Sequence, residues 1–236
     1  MTHALLRRMV SEFLGTGFLV AAVVGSGIMG ERLAAGNIAM ALLANTIATG
    51  AALFALILTF GPISGGHFNP AVTLVDALER GISWWVAACY IPAQCAGAMC
   101  GVIAEHLMFG LAPISVSSHV RSGSAQAFSE FVATFGLICV IWGCSRKRSD
   151  MVAFAAAAYI TAAYWFTSST SFANPAVTIA RSFSDTFAGI RPVDVPPFVT
   201  AQLAGAIAAT LLFRWLAPGV LDAGAKRIVV PAEPGA

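Results

Sequence analysis

Six apolar segments, each about long enough to cross a lipid bilayer, take up most of this 236-residue chain. They run about Val10–Met29, Ile38–Phe60, Trp84–Phe109, Ala125–Cys144, Met151–Thr167 and Phe198–Leu216. A helix needs ~20 apolar residues to cross the hydrocarbon layer, and a helix satisfies its own backbone there. Two further apolar stretches, Asn69–Leu78 and Asn174–Phe183, are too short to cross. As helices they would reach about 15 Å, half the hydrocarbon thickness. Composition points the same way. Hydrophobic residues make up 58% of the chain and charged residues 10%, against roughly 25% charged in a soluble domain. The expected fold class is an all-α membrane protein with six transmembrane helices and two re-entrant half-helices.

A net charge of +2 with no long basic run argues against nucleic-acid binding. Arg7 and Arg8 ahead of an apolar run imitate a signal peptide. That run continues to Met29, broken only by Glu12, which is long for a signal, so a retained first span is expected. Cys89, Cys95, Cys100, Cys139 and Cys144 all lie in apolar segments and are odd in number. They read as small packing residues, with neither a disulfide framework nor zinc spacing. No metal or cofactor site is expected. With an even number of spans, one side carries Arg7, Arg8, Arg80, Arg146, Lys147, Arg148, Arg214, Lys226 and Arg227, and the other Arg32, Arg121, Arg181 and Arg191. The larger positive set favours cytoplasmic termini.

Three motifs recur in the same order. Ser11-Glu12-Phe13 returns as Ser129-Glu130-Phe131, Asn69-Pro70-Ala71-Val72-Thr73 as Asn174-Pro175-Ala176-Val177-Thr178, and Ala93-Gln94 with Gly97 as Ala201-Gln202 with Gly205. The offsets are 118, 105 and 108 residues, close enough for one duplication. Each half holds three spans, so the second enters the membrane from the opposite side. This is an inverted repeat, about 8–110 and 124–218, within a single channel domain, and its site is expected near the midplane.

Irregular backbone at membrane depth is tolerated only where protein buries it or a watery cavity meets it. Gly61 to Phe68 reads as such a stretch before the first half-helix, and Thr170 to Ala173 before the second. Asn69 and Asn174 cap the half-helices, with Pro70 and Pro175 at the first helical position. Facing each other, the two positive helix ends would repel cations at the centre, while the asparagine amides donate to neutral solutes. The carbonyls of Gly65, Gly66, His67, Phe68, Phe172 and Ala173 are expected to supply the polar track. Gly97 and Gly205 are expected to allow close helix crossing.

The run Ser64 to Thr73 and its partner at Asn174 resemble the aquaporin and aquaglyceroporin (major intrinsic protein) family, over about residues 8–218. The resemblance implies six tilted helices, two half-helices and a homotetramer with one pore per subunit. It also implies that Glu12 and Glu130 brace the re-entrant loops. The family normally has an arginine directly after the second Asn-Pro-Ala, where this chain has Val177. Ungapped spacing carries the other filter positions onto Thr49, Ala162 and Ser171, giving a wide, uncharged quartet. Arg181, one turn on, could line the vestibule or anchor a loop. Val177 and the segment Ala180 to Ile190 resemble a bacterial subgroup linked to arsenic resistance.

The resulting expectation is a passive inner-membrane channel for water and small neutral solutes, glycerol and arsenous acid with its methylated forms among them. The alternatives are a water-selective or simple glycerol facilitator, and a proton-coupled secondary transporter using Glu12 or Glu130. An enzyme is not expected, since no cysteine–histidine or carboxylate pair has recognisable catalytic spacing. His106 and His119 are placed in the loop after the third span. The tail from about 223 to 236 is expected to be flexible.

Overall fold

The computed structural model describes residues 2–145 and 148–217. The tail expectation therefore lies outside the described residues, as do Arg146 and Lys147. Eight α-helices follow one another: α1 His3–Leu33, α2 Ile38–Ser64, α3 Pro70–Leu78, α4 Trp84–Met108, α5 Ser124–Ser145, α6 Val152–Phe166, α7 Pro175–Arg181 and α8 Val195–Leu216. Each half reads span, span, half-helix, span. Five of the six spans are long and apolar enough to cross a membrane by themselves. The sixth, α6, has 15 residues and reaches about 22 Å; the 3₁₀ turn Ser149–Met151 extends it at its start.

The chain is turned inside out relative to a soluble protein. Large apolar side chains such as Phe18, Phe128 and Leu211 point outward, whereas Glu12, Thr16, Gln94, Glu130 and Gln202 are fully enclosed. That is the arrangement lipid selects, because tails solvate outward leucine and phenylalanine at no cost. Trp84, Trp85 and Trp215 stand exposed at helix ends on the side of the N-terminus, and Trp165 on the other side, where interfacial tryptophan is favoured.

Inside, small residues set the spacing. Gly97 on α4 lies against the Phe13 carbonyl of α1, and Gly205 on α8 against the Phe131 carbonyl of α5; a Cβ at either position would collide with that backbone. These two equivalent crossings join α1 to α4 and α5 to α8 by packing of the small-residue kind.

Two boundaries differ from the sequence expectation. Helix α2 continues through Pro62 to Ser64, and Gly65 ends it at φ 100°. The irregular approach is therefore 65–69 rather than beginning at Gly61. Proline near a helix end loses little, and glycine accepts the left-handed turn. His106 lies in the last turn of α4 and not in the loop. Its ring nitrogens contact the Ala112 carbonyl and the Ser184 hydroxyl, each at 2.8 Å.

Candidate functional site

The half-helices α3 and α7 meet through their starting asparagines. Asn69 Oδ1 accepts from the Ala71 amide at 2.9 Å, and Asn174 Oδ1 accepts from Ala176 and Val177 at 3.0 and 3.3 Å. The side-chain amides then cross the repeat boundary. Asn69 Nδ2 donates to the Ala173 carbonyl at 2.7 Å, and Asn174 Nδ2 donates to the Phe68 carbonyl at 2.8 Å. Each NH₂ has a second N–H left for the cavity that both asparagines line.

This crossing corrects part of the expected carbonyl track. The Phe68 and Ala173 carbonyls are tied to the opposite repeat's asparagine, and Gly65 and Phe68 do not line the cavity. Gly66, His67, Phe172 and Ala173 do line it. The cause is backbone conformation. Phe68 and Ala173, both at φ 48°, occupy the left-handed region, as do Gly66 (63°) and its equivalent Ser171 (50°). Non-glycine residues held there carry strain of about 1–3 kcal/mol each, so something must hold the loops.

The two glutamates do so, in matching fashion. Glu12 accepts from the His67 amide (3.0 Å), the Phe68 amide (2.7 Å), Ser64 Oγ (2.6 Å) and Gln94 Nε2 (2.8 Å). Glu130 accepts from the Phe172 and Ala173 amides (both 2.9 Å) and Gln202 Nε2 (2.6 Å). Gln94 and Gln202 also donate to Thr73 and Thr178, each at 2.8 Å. Neither glutamate lines the cavity. In all seven contacts the glutamate is the acceptor.

The cavity offers about 60 Å³ for water centres, room for several waters at roughly 10–15 Å³ each. Leu19, Val23, Leu53 and Ile57 of the first half and Leu137, Ile141 and Ile160 of the second form its apolar wall. The half-helix ends and their loops form the polar one. Of the four expected filter residues, Thr49, Ser171 and Val177 line it and Ala162 does not. Ala162 is exposed on the outer face of α6, and Ile160 and Tyr164 face inward. Two positions along a helix turn the side chain through about 200°. Counting back from Asn174 cannot see how the turn Thr167–Ser171 folds. Tyr164 donates to Thr49 Oγ1 at 3.3 Å.

The cavity is also not uncharged. Arg181 is 2% exposed and lines the same cavity. Its guanidinium carbon stands 3.3 Å from the Phe172 ring centroid, and its Nε donates to the Ala188 carbonyl. A second arginine, Arg121 of the loop 109–123, was not foreseen here. It stands 5.0 Å from the same ring and donates to the Gly189 and Ser169 carbonyls at 2.7 and 3.2 Å. Burial brings its pKa down to about 10, with partial compensation from Glu130 and Tyr164, so it is still charged at neutral pH. The rest of that loop is clasped to 182–194. Ser115 and Ser117 donate to the Phe183 and Ser182 carbonyls, Ser118 to Asp185, and the Arg191 amide to the His119 carbonyl.

The major intrinsic protein family matches residues 1–151 and 144–235. Aquaglyceroporin AqpS of Rhizobium meliloti (strain 1021) is 57% identical over 212 residues, 90% of this chain and 91% of that protein. Aquaporin NIP1-4 of Oryza sativa subsp. japonica is 34% identical over 143 residues, 60% of this chain and 51% of that protein. Among solved structures, the aquaglyceroporin from Plasmodium falciparum shares the fold with a TM-score of 0.71. It covers 92% of this chain and 99% of its own, at 18% identity. With two asparagine-capped half-helices meeting over a cavity, and similarity along nearly its whole length, the chain belongs to the major intrinsic protein family, multi-pass membrane channels rather than enzymes.

Proposed function

We propose that the chain is a passive channel for water and small neutral hydroxylated solutes, with glycerol and arsenous acid (and its methylated forms) as cargo. It works as a homotetramer in a bacterial plasma membrane with both termini cytoplasmic. The observation that carries this reading is the cavity itself. One wall is apolar, and the other presents neutral donors from Asn69 and Asn174 at the meeting point of two half-helix N-termini. A neutral polyol satisfies both walls at once, its carbon skeleton on one and its hydroxyls on the other. The relative named as an aquaglyceroporin supports the solute class, and Val177 in place of an arginine supports passage of molecules larger than water. The proton-coupled reading is disfavoured, because Glu12 and Glu130 sit behind the loops with their oxygens engaged by donors.

The test is flux into proteoliposomes of the unmodified protein and of Val177→Arg, for water, glycerol and arsenous acid. The expected result is rapid, non-saturating glycerol and arsenous acid entry that falls at least about tenfold in the variant while water flux persists; tenfold corresponds to about 1.4 kcal/mol of added barrier. Passage of water alone by the unmodified protein would sink the solute assignment. Saturable uptake that follows a pH gradient would replace the channel with a transporter.

A further inference from the structure

The inverted repeat relates Asp76 to Arg181 and His67 to Phe172, both at the 105-residue offset that relates Asn69 to Asn174. In the first half Asp76 reaches back to the residue two before the asparagine, with its Oδ2 3.2 Å from His67 Nε2. The fold aims the equivalent side chain the same way in the second half, and the Arg181 guanidinium carbon sits over the Phe172 ring. The direction of Arg181 is thus set by the half-helix and its loop, not by the solvent. Only Nε is spent, on the Ala188 carbonyl. The two terminal nitrogens have no hydrogen-bond partner among the described residues, on a residue that lines the cavity. Nearby, Ser171 Oγ is buried on the same cavity and likewise without a partner.

From these placements we infer that Arg181 is the specificity-determining charge of this pore. Its free N–H groups take the oxygens of a hydroxylated neutral solute together with Ser171 Oγ, and its fixed charge turns back cations. This rests on the channel reading above and names the residue that discriminates within it. The charge absent at Val177 is thereby moved one helical turn along α7, not deleted. Moving it leaves the width at Val177 open to larger solutes while the barrier to cations is kept. Stacking on Phe172 orients the guanidinium. Arg121, whose nitrogens are engaged by backbone carbonyls, supports the same ring as a positioning residue.

The test compares unmodified, Arg181→Gln and Arg181→Lys proteins in proteoliposomes, following glycerol entry and the dissipation of an imposed sodium gradient. Glutamine keeps an amide for the Ala188 carbonyl but carries no charge; if it does not assemble, Arg181→Met takes its place. The uncharged variant is expected to pass glycerol with a sodium leak raised about 10- to 100-fold, the scale of one charge lining the cavity at an effective dielectric near 20. Arg181→Lys is expected to stay tight. An uncharged variant that passes glycerol and stays as sodium-tight as the unmodified protein overturns the assignment. So does a leak in the lysine variant equal to that of the uncharged one. An unmodified protein that carries neither glycerol nor water removes the channel reading itself, and this inference with it.

Discussion

Replacing Glu130 by glutamine tests whether the loop braces hold the pore open. The carboxylate accepts three hydrogen bonds, two from backbone amides of the strained segment Phe172–Ala173 and one from Gln202. Glutamine fills nearly the same volume but offers a single acceptor oxygen. Placed where Oε2 is, that oxygen keeps Ala173 and Gln202 and turns its own NH₂ onto the Phe172 amide. One buried donor is then orphaned at about 1–3 kcal/mol, and two charge-assisted bonds weaken to neutral ones at about 1 kcal/mol each. The other placement loses two bonds instead of one. The expected destabilisation is about 3–5 kcal/mol, which at this chain length lowers the melting midpoint by about 10 °C.

The assay is thermal unfolding in detergent, followed by loss of the assembled species, paired with glycerol flux in liposomes. Flux should fall as well, because Ala173 carries the carbonyl that receives Asn69. Glu12 makes the equivalent contacts in the other half, so Glu12→Gln should match within a few degrees. A Glu130→Gln protein that melts within 2 °C of the unmodified one, with flux unchanged, would refute the reasoning; roughly 2 °C is under 1 kcal/mol at this size.

Gly97→Ala and Gly205→Ala each push a methyl into a facing carbonyl and should cost about 1–3 kcal/mol, read as a lowered melting midpoint of similar size for both. Ala162→Leu should leave glycerol flux unchanged, since Ala162 faces outward. Tyr164→Ala, which empties a cavity wall and frees Thr49, should speed entry of solutes larger than glycerol in the same vesicle assay. At His119, burial and then the charges of Arg121 and Arg181 hold the pKa below the ordinary 6.5, outweighing Asp185 and Glu31. A depressed folded-state value means the loop clasp is intact above 6.5 and weakens as pH falls below it. Hydrogen exchange of 113–121, corrected for intrinsic rate, should therefore show more opening at acidic pH, and His119→Gln should abolish the dependence.

Much of this was legible because the chain states it twice. The recurring Ser-Glu-Phe motif marks a glutamate in each half that the family resemblance assigns to the loops, whereas Ala-Gln reads only as a repeat marker, and only the contacts reveal glutamine bridging glutamate to Thr73 and Thr178. Ala162 failed for the opposite reason. Its position depends on a turn whose residues Thr170 and Ser171 take left-handed backbone angles that glycine, not threonine or serine, would have advertised. The loop 109–123 was equally opaque. Serines bonded to carbonyls of a distant segment leave no periodic trace, so Arg121 reads as one more charge between spans.

The comparison of the halves separates what builds the channel from what selects. Most residues that match across the repeat, the asparagine pair, the glutamate–glutamine braces and Gly97 with Gly205, bond to or pack against one another or the backbone and set the scaffold; Val72 and Val177, which also match, face the cavity instead. Residues that differ stand at the cavity or directly behind it: His67 against Phe172, Gly66 against Ser171, Asp76 against Arg181. An inverted repeat with identical halves would present the same surface to both sides and the same sign at both ends. An acid held by histidine in one half, and an arginine with free donors in the other, give the pore two unlike ends on one backbone. Selectivity in such a fold is therefore set where the halves disagree at the cavity and at Val177, which matches Val72 yet faces the cavity, while the shared braces keep the backbone in place.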